Sequence, residues 1–162
     1  MLSKEVERIL ILLEKIERTM SNIYGSLAVN QSFTDEVRRF WATMMEAELE
    51  HAALFRNIKN QAKLNEAIEF ELNFNIDYLL KTYQKIQKVE EIVRDSKLSE
   101  RKAYTIGAKL EEDLYEFSYC KRIKSNDGNI MKEISRVDND TKHHYLQLHN
   151  YSMNSSKFSI NQ

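Results

Sequence analysis

A carboxylate and an imidazole interrupt an apolar helical stripe in the first third of the sequence. Glu48 and His51 are three residues apart, so on a helix they project from adjacent turns toward one point. The neighbouring stripe positions are all apolar: Trp41, Met44, Phe55 and Ile58. Because burial of an unpaired carboxylate is strongly unfavourable, the pair requires either a charged partner or a metal ion.

An exposed acidic face is the simpler interpretation of this pair, since acids alternate through residues 46–51 and a two-residue motif is common by accident. The first predicted helix favours a site instead. Glu17 lies at the edge of its apolar stripe, and Tyr24 follows two turns later on the same face. A metal site in a helical bundle needs one such Glu beside a Glu-x-x-His pair. Taken alone, Glu17 would also suit the surface and Tyr24 the core.

Glu111 and Glu112 compete for the corresponding position in the second half of the chain. The apolar neighbours of Glu17 recur at the same offsets around Glu111. Around Glu112 those offsets hold polar residues in two places, which makes a poorer core. The sequence therefore predicts that Glu111 faces the interior, with Glu112 as the alternate.

The last predicted helix keeps a histidine but not the expected glutamate. Aligning its apolar stripe with that of the second helix places Thr141 and His144 where the second helix has its Glu and its His. Asp140 and His143 have the same three-residue spacing, with Asp in place of Glu. They lie one residue earlier on the helix, so their side chains point about 100° away from the apolar stripe. We predict that His144 faces inward and His143 is the alternate. Whether Asp140 reaches the site from the flank stays open.

Long helices must position these residues, because the chain is poor in turn formers. Its 162 residues contain no proline and only 3 glycines, whereas average composition gives about 8 and about 11. A fold of many short strands needs more turns, so an all-α fold is predicted. Apolar periodicity predicts helices over 4–29, 33–60, 100–123 and 130–151, with a further helix inside 61–97. The predicted N-caps are Ser3, Ser32 or Thr34, and Ser99.

The spacing of these helices predicts their connectivity. Short loops make two antiparallel hairpins, and the connection of nearly forty residues between them lets the third helix start at the opposite end of the bundle. This is the ferritin-like four-helix bundle with one long crossover connection that contains an extra helix. We assign residues 1–151 to the bundle and 152–162 to a polar, frayed tail.

Composition excludes several other classes. The formal net charge of −1 gives no basic field for nucleic acid, and no apolar stretch is long enough for a membrane span. The single cysteine, Cys120, cannot form an intrachain disulfide or a four-cysteine metal site. A cytoplasmic protein is the expectation.

Four segments resemble the rubrerythrin branch of the ferritin-like superfamily. Residues 17–24 (Glu-Arg-Thr-Met-Ser-Asn-Ile-Tyr) and 46–54 (Glu-Ala-Glu-Leu-Glu-His-Ala-Ala-Leu) are similar to the first half of that fold. Residues 98–103 and 107–117 are similar to the opening of its third helix, which repeats the first. The resemblance covers residues 3–151. Ser118 stands where the repeat would place a second tyrosine, and Thr141 where it would place a second glutamate.

The resemblance implies a di-iron site. Glu48 would bridge the ions, Glu17 and Glu111 would be terminal ligands, and His51 and His144 would each give one nitrogen. Three carboxylates and two imidazoles suit iron or manganese, and a single metal is an alternative. Tyr24 and Thr141 would lie behind the ligands.

Family members of this kind reduce hydrogen peroxide or oxidise ferrous iron. With one cysteine the chain lacks their rubredoxin centre, so an enzyme would need a separate electron donor, and a homodimer is expected. The competing hypothesis is a non-catalytic bundle with a decayed site that binds a partner or a small ligand. Aromatic residues would support such an interface, although aromatics of this kind are more often core; they are Tyr78, Tyr83, Tyr104, Tyr115 and Tyr119.

Overall fold

Six helices account for most of the residues that the structure describes, and the predicted all-α class is confirmed. The structure is a computed structural model describing residues 2–95 and 97–154, with only the backbone of Phe117, Tyr119 and Asn154. The helices are α1 (Lys4–Ala28), α2 (Asp35–Leu64), α3 (Ile76–Asp95), α4 (Glu100–Phe117), α5 (Tyr119–Arg122) and α6 (Gly128–Asn154). Two short strands, β1 (Phe70–Leu72) and β2 (Ile123–Ser125), complete the order.

Side-chain caps begin three of the long helices. The hydroxyl oxygens of Ser3, Thr34 and Ser99 each accept a hydrogen bond from the backbone N–H three residues later, at 3.2, 3.4 and 3.3 Å. These bonds satisfy donors that a helix start leaves unpaired. The cap of α2 is therefore Thr34 and not Ser32.

The predicted continuous helix over residues 100–123 is wrong. The helix α4 ends at Phe117 because Ser118 adopts the left-handed conformation, with φ 47° and ψ 47°. A single turn, α5, follows, and Ile123 then begins β2, which pairs antiparallel with β1. Strands of three residues carry no periodicity that a sequence pattern could show, so this pairing was not predicted.

The helices α1 and α2 form one antiparallel pair. The Ser21 hydroxyl donates a hydrogen bond of 3.0 Å to the backbone carbonyl of Met45, and Glu7 near the start of α1 forms an ion pair with Lys63 near the end of α2. The helices α4 and α6 form the other pair, with Thr105 early in α4 3.3 Å from Ser152 late in α6. The hairpins were predicted from the short loops.

The long connection between α2 and α4 contains α3, as predicted, and α3 packs against α1. The amide of Asn22 on α1 donates a hydrogen bond of 2.9 Å to Glu90 on α3. The helix α6 continues to Asn154, so residues 152–154 are helical, and the rest of the predicted tail, 155–162, lies outside the described residues. Among the described residues, no helix is both long and apolar enough to cross a bilayer.

The two pairs share one apolar core that surrounds a few polar side chains. Gly107 on α4 marks the tightest contact, because a Cβ atom there would lie 2.8 Å from the Trp41 ring and 3.3 Å from Leu148. The close approach of α4 to the Trp41 ring therefore depends on the missing side chain.

We expect Gly107→Ala to lower the free energy of unfolding by ~1–3 kcal/mol through overpacking, a loss that better helix propensity offsets by ~1 kcal/mol at most. Gly25→Ala is the matched control, since the new methyl would meet only the flexible end of Met45 at 3.2 Å. Urea unfolding of both variants measures the difference. Equal stability of the two variants would show that the Trp41 ring can move away from α4.

Candidate metal centre

Glu48 lies at the centre of a buried cluster and faces a different histidine with each carboxylate oxygen. Its Oε2 is 3.0 Å from Nδ1 of His51, and its Oε1 is 2.9 Å from Nδ1 of His144. Glu48 is 2% exposed and the two histidines are 1% and 8% exposed. The Glu-x-x-His spacing on α2 gives the first contact, and the packing of α6 on the other hairpin gives the second.

Two further acids flank this centre from α1 and α4. An oxygen of Glu17 lies 3.7 Å from Nδ1 of His51, and an oxygen of Glu111 lies 3.9 Å from Nδ1 of His144. The donor atoms form two groups that share Glu48, and within each group they lie within 4.8 Å of one another. These five residues could hold a metal ion.

The alternate residues lie outside both groups. Glu112 is partly exposed and its carboxylate accepts a 2.6 Å hydrogen bond from Lys109. His143 is exposed on the outer face of α6, one position from the buried His144. The inward positions are Glu111 and His144, as the periodicity predicted.

Tyr24 and Thr141 lie next to the cluster. The Tyr24 phenol, fully buried, donates a hydrogen bond of 2.6 Å to Oε1 of Glu111 and so fixes that carboxylate. Thr141 is 6% exposed and lies three residues before His144 on α6, as Glu48 lies three residues before His51 on α2. The buried carboxylates of the cluster therefore come from three helices, and α6 gives none.

Asp140 takes a position that the sequence left open. Its Oδ2 lies 3.3 Å from Nε2 of His51, the ring nitrogen opposite the one that faces Glu48. The side chain of Asp140 is 43% exposed. Such a carboxylate orients an imidazole and fixes its tautomer, which is the usual support of a metal-binding histidine. Asp140 therefore contacts His51 on the side away from Glu48 and belongs to neither donor group.

Burial shifts the pKa of both flanking acids upward. Burial raises the pKa of Glu17 to about 7 and the pKa of Glu111 to about 8, and the neighbouring Glu48 carboxylate contributes to both shifts. For Glu48 itself, burial acts in the same direction, but the contacts with His144 and His51 outweigh it and hold its pKa well below the ordinary range.

The histidines shift in the opposite sense to isolated buried imidazoles. Burial alone would lower the pKa of His51, but Glu17 and Glu48 raise it to about 11. Burial also opposes the shift at His144, where Glu48 and Glu111 raise the pKa. When no cation is bound, protons on the imidazoles and on two of the acids thus offset the repulsion among the three buried carboxylates.

Two buried polar atoms of the cluster form a close ion pair but make no hydrogen bond. Oε1 of Glu48 and Nδ1 of His144 are buried without a hydrogen-bond partner, although they are only 2.9 Å apart, so the two groups are not aligned for a hydrogen bond. Unpaired buried polar atoms are costly. A cation between them would satisfy both, and carboxylate oxygen with imidazole nitrogen is a donor set that iron and manganese accept.

Comparisons of the chain with protein-family models, with characterised proteins and with solved structures find no match. The class of protein is therefore described from the fold and the buried cluster alone. It is an all-α protein whose interior brings together three carboxylates and two imidazoles that could hold a metal ion.

The raised acid pKa values predict that the metal-free protein loses stability as pH rises. Between the ordinary value of 4.5 and about 7 to 8, the folded protein holds protons on Glu17 and Glu111 that the unfolded chain has released. The two histidines add to the fall above their ordinary 6.5. Glu111→Gln should keep the Tyr24 hydrogen bond, reduce this fall and raise the melting temperature at pH 8 by several degrees.

Thermal unfolding from pH 5 to 8 in the presence of a chelator measures this effect. Glu112→Gln is the control, because it removes a neighbouring acid that faces solvent. The same pH profile in the parent and in Glu111→Gln would mean that Glu111 is already ionised in the folded protein.

Proposed function

We propose that this chain is a ferritin-like, rubrerythrin-type di-metal carboxylate protein, an iron-binding oxidase or peroxidase with an incomplete site on α6. The observation that carries the proposal is Glu48, which is shared by two buried donor groups, each with its own Glu and its own His. A single carboxylate between two such groups is the arrangement expected of a bridging ligand. Manganese, or one metal in place of two, fits the same donors.

The order of the helices supports this proposal. Two antiparallel pairs, α1 with α2 and α4 with α6, are joined by the long connection that contains α3. Di-iron carboxylate bundles take a single Glu from each of two helices and a Glu-x-x-His pair from each of the other two. Here Glu17 and Glu111 are the single acids, and α2 has the complete pair.

Each residue of the cluster would have a distinct role. Glu17, Glu48 and His51 would hold one ion, and Glu48, Glu111 and His144 would hold the other. Iron bound there would supply one-electron redox chemistry toward peroxide or ferrous iron. Tyr24 fixes Glu111 and Asp140 orients His51, while the apolar core excludes bulk water.

The two halves of the site are unequal. The half on α2 has a complete Glu-x-x-His pair and the support of Asp140. The half on α6 has Thr141, whose neutral hydroxyl cannot offset a cation's charge. We therefore expect tighter binding in the group that contains Glu17 and His51, and slow turnover of peroxide, because two-metal chemistry needs both ions.

The neutral Thr141 also favours a second candidate, a non-catalytic bundle with a decayed site that binds a partner. Catalysis would need a separate electron donor, since Cys120 is the only cysteine of the chain. Iron binding separates the two candidates, because only the first requires it.

Ferrous iron should stabilise the protein, and Glu48→Gln should abolish most of that effect. At about a hundredfold excess over its Kd, a ligand that binds only the folded state adds ~2.7 kcal/mol, or several degrees of melting temperature. The neutral amide removes the shared charge with little change of shape. Anaerobic thermal unfolding with and without ferrous iron measures the shift.

Glu46→Gln is the control for this substitution, since it removes an exposed acid one half-turn away on the same helix. An equal iron-dependent shift in the parent and in Glu48→Gln would place the ion elsewhere and contradict the proposed site.

Thr141→Glu should raise iron stoichiometry toward two per chain and increase peroxide-dependent oxidation of the iron, because it supplies the missing carboxylate on α6. Iron analysis and stopped-flow absorbance measure both quantities. Asn139→Glu adds the same charge at an exposed position of α6 and should change neither. If the parent already binds two irons and Thr141→Glu lowers the rate, the second half of the site is complete without a fourth carboxylate.

A further inference from the structure

Four aromatic rings lie in series from the buried cluster to the surface. Tyr24, whose phenol donates a hydrogen bond to Glu111, stacks on Trp41 with ring centroids 5.3 Å apart. Trp41 lies 5.4 Å from Tyr104, and Tyr104 stacks on Tyr151 at 5.0 Å. Tyr24 and Trp41 are fully buried, Tyr104 is 5% exposed and Tyr151 is 43% exposed. We call these four residues the aromatic series.

Core packing alone does not account for the chemistry of these rings. Phenylalanine would fill the position of Tyr104 without placing a phenol in a site where burial raises its pKa to about 12. The indole Nε1 of Trp41 is buried without a hydrogen-bond partner, which costs stability. The series thus retains oxidisable groups at positions where packing favours plain hydrocarbon rings.

We propose that the aromatic series is an electron-transfer route between the protein surface and the buried cluster. Tyrosine and tryptophan are among the side chains that lose one electron most readily, and each ring of the series contacts the next. Only the identity of the inner acceptor, a peroxide oxidant held by the carboxylates and histidines, rests on the proposed function.

One electron passes along the route, and every ring returns to its starting state. With a cation bound and Glu111 therefore ionised, Tyr24 gives an electron to the oxidant, and its phenolic proton passes to Glu111 across 2.6 Å. Trp41 then reduces Tyr24, which recovers the proton. Trp41 keeps its indole proton, and the electron that restores it comes from Tyr151 through the Tyr104 ring that lies between them, so Tyr104 itself is not oxidised.

Tyr151, at the outer end, exchanges its proton with solvent and is restored by an external one-electron reductant, such as a small redox molecule or a redox protein. In sum, the reductant loses one electron and the bound oxidant gains one. The exposed Tyr151 is therefore the point at which a separate electron donor would act.

The test uses metal-free protein and measures oxidation of Trp41, which is the only tryptophan of the chain. Photogenerated ruthenium(III) tris(bipyridine) is a one-electron oxidant too large to touch this fully buried ring. Loss of tryptophan fluorescence, and oxygen addition to the Trp41 peptide by mass spectrometry, report electrons that leave through Tyr104 and Tyr151.

We expect Tyr104→Phe and Tyr151→Phe each to slow Trp41 oxidation by about tenfold or more, since phenylalanine raises the barrier of one step. Tyr145→Phe is the matched control, because Tyr145 is a partly buried tyrosine of the same helix that stacks on Tyr115 instead. If Tyr104→Phe fails to fold, the exposed position of Tyr151 makes its variant decisive.

Parent-like oxidation in Tyr151→Phe, or equal slowing in Tyr145→Phe, would overturn the proposed route. Because no metal is present, these outcomes are independent of iron binding. If iron binds through Glu48 but Trp41 is oxidised equally fast in Tyr151→Phe, the proposed function stands and the route is wrong. If iron does not bind but Tyr151→Phe slows Trp41 oxidation, the route stands and the proposed function is wrong.

Discussion

The burial of three carboxylates in one helical interior is the constraint on which the rest of the structure depends. Glu17, Glu48 and Glu111 are each no more than 2% exposed, and like charges at such distances cannot all ionise without compensation. Two imidazoles and shared protons supply part of it, but Oε1 of Glu48 still lacks a hydrogen bond. A divalent cation would replace the protons and be coordinated by the carboxylates, so the arrangement could hold a metal ion.

The residues around the cluster stabilise its two halves to different extents. Tyr24 holds Glu111 from within the core, whereas Asp140 holds His51 from the surface side. Thr141 leaves α6 without a carboxylate. The difference between the two halves therefore follows from single side chains on α6.

Packing and chemistry meet at Trp41. The absence of a side chain at Gly107 lets α4 approach the indole, and the indole in turn separates Tyr24 from Tyr104. The same ring thus sets the spacing of two helices and joins the buried cluster to the exposed Tyr151. A change at this ring would affect stability and any electron transfer together, so measurements that separate the two must use the outer tyrosines.

Local pattern was enough to predict the five long helices apart from the end of α4, the caps Ser3 and Ser99 with Thr34 as one of two candidates for α2, and the inward positions of Glu111 and His144. Side-chain direction on a helix repeats with a fixed period, so an apolar stripe alone shows which of two neighbouring residues is buried. The left-handed turn at Ser118, the pairing of β1 with β2, the contact of Asp140 with His51 and the aromatic series were decided only by tertiary structure. These features depend on contacts between residues far apart in the chain, or on where a helix ends. A local hydrophobic period reports only which face of one helix is buried, so it cannot predict them.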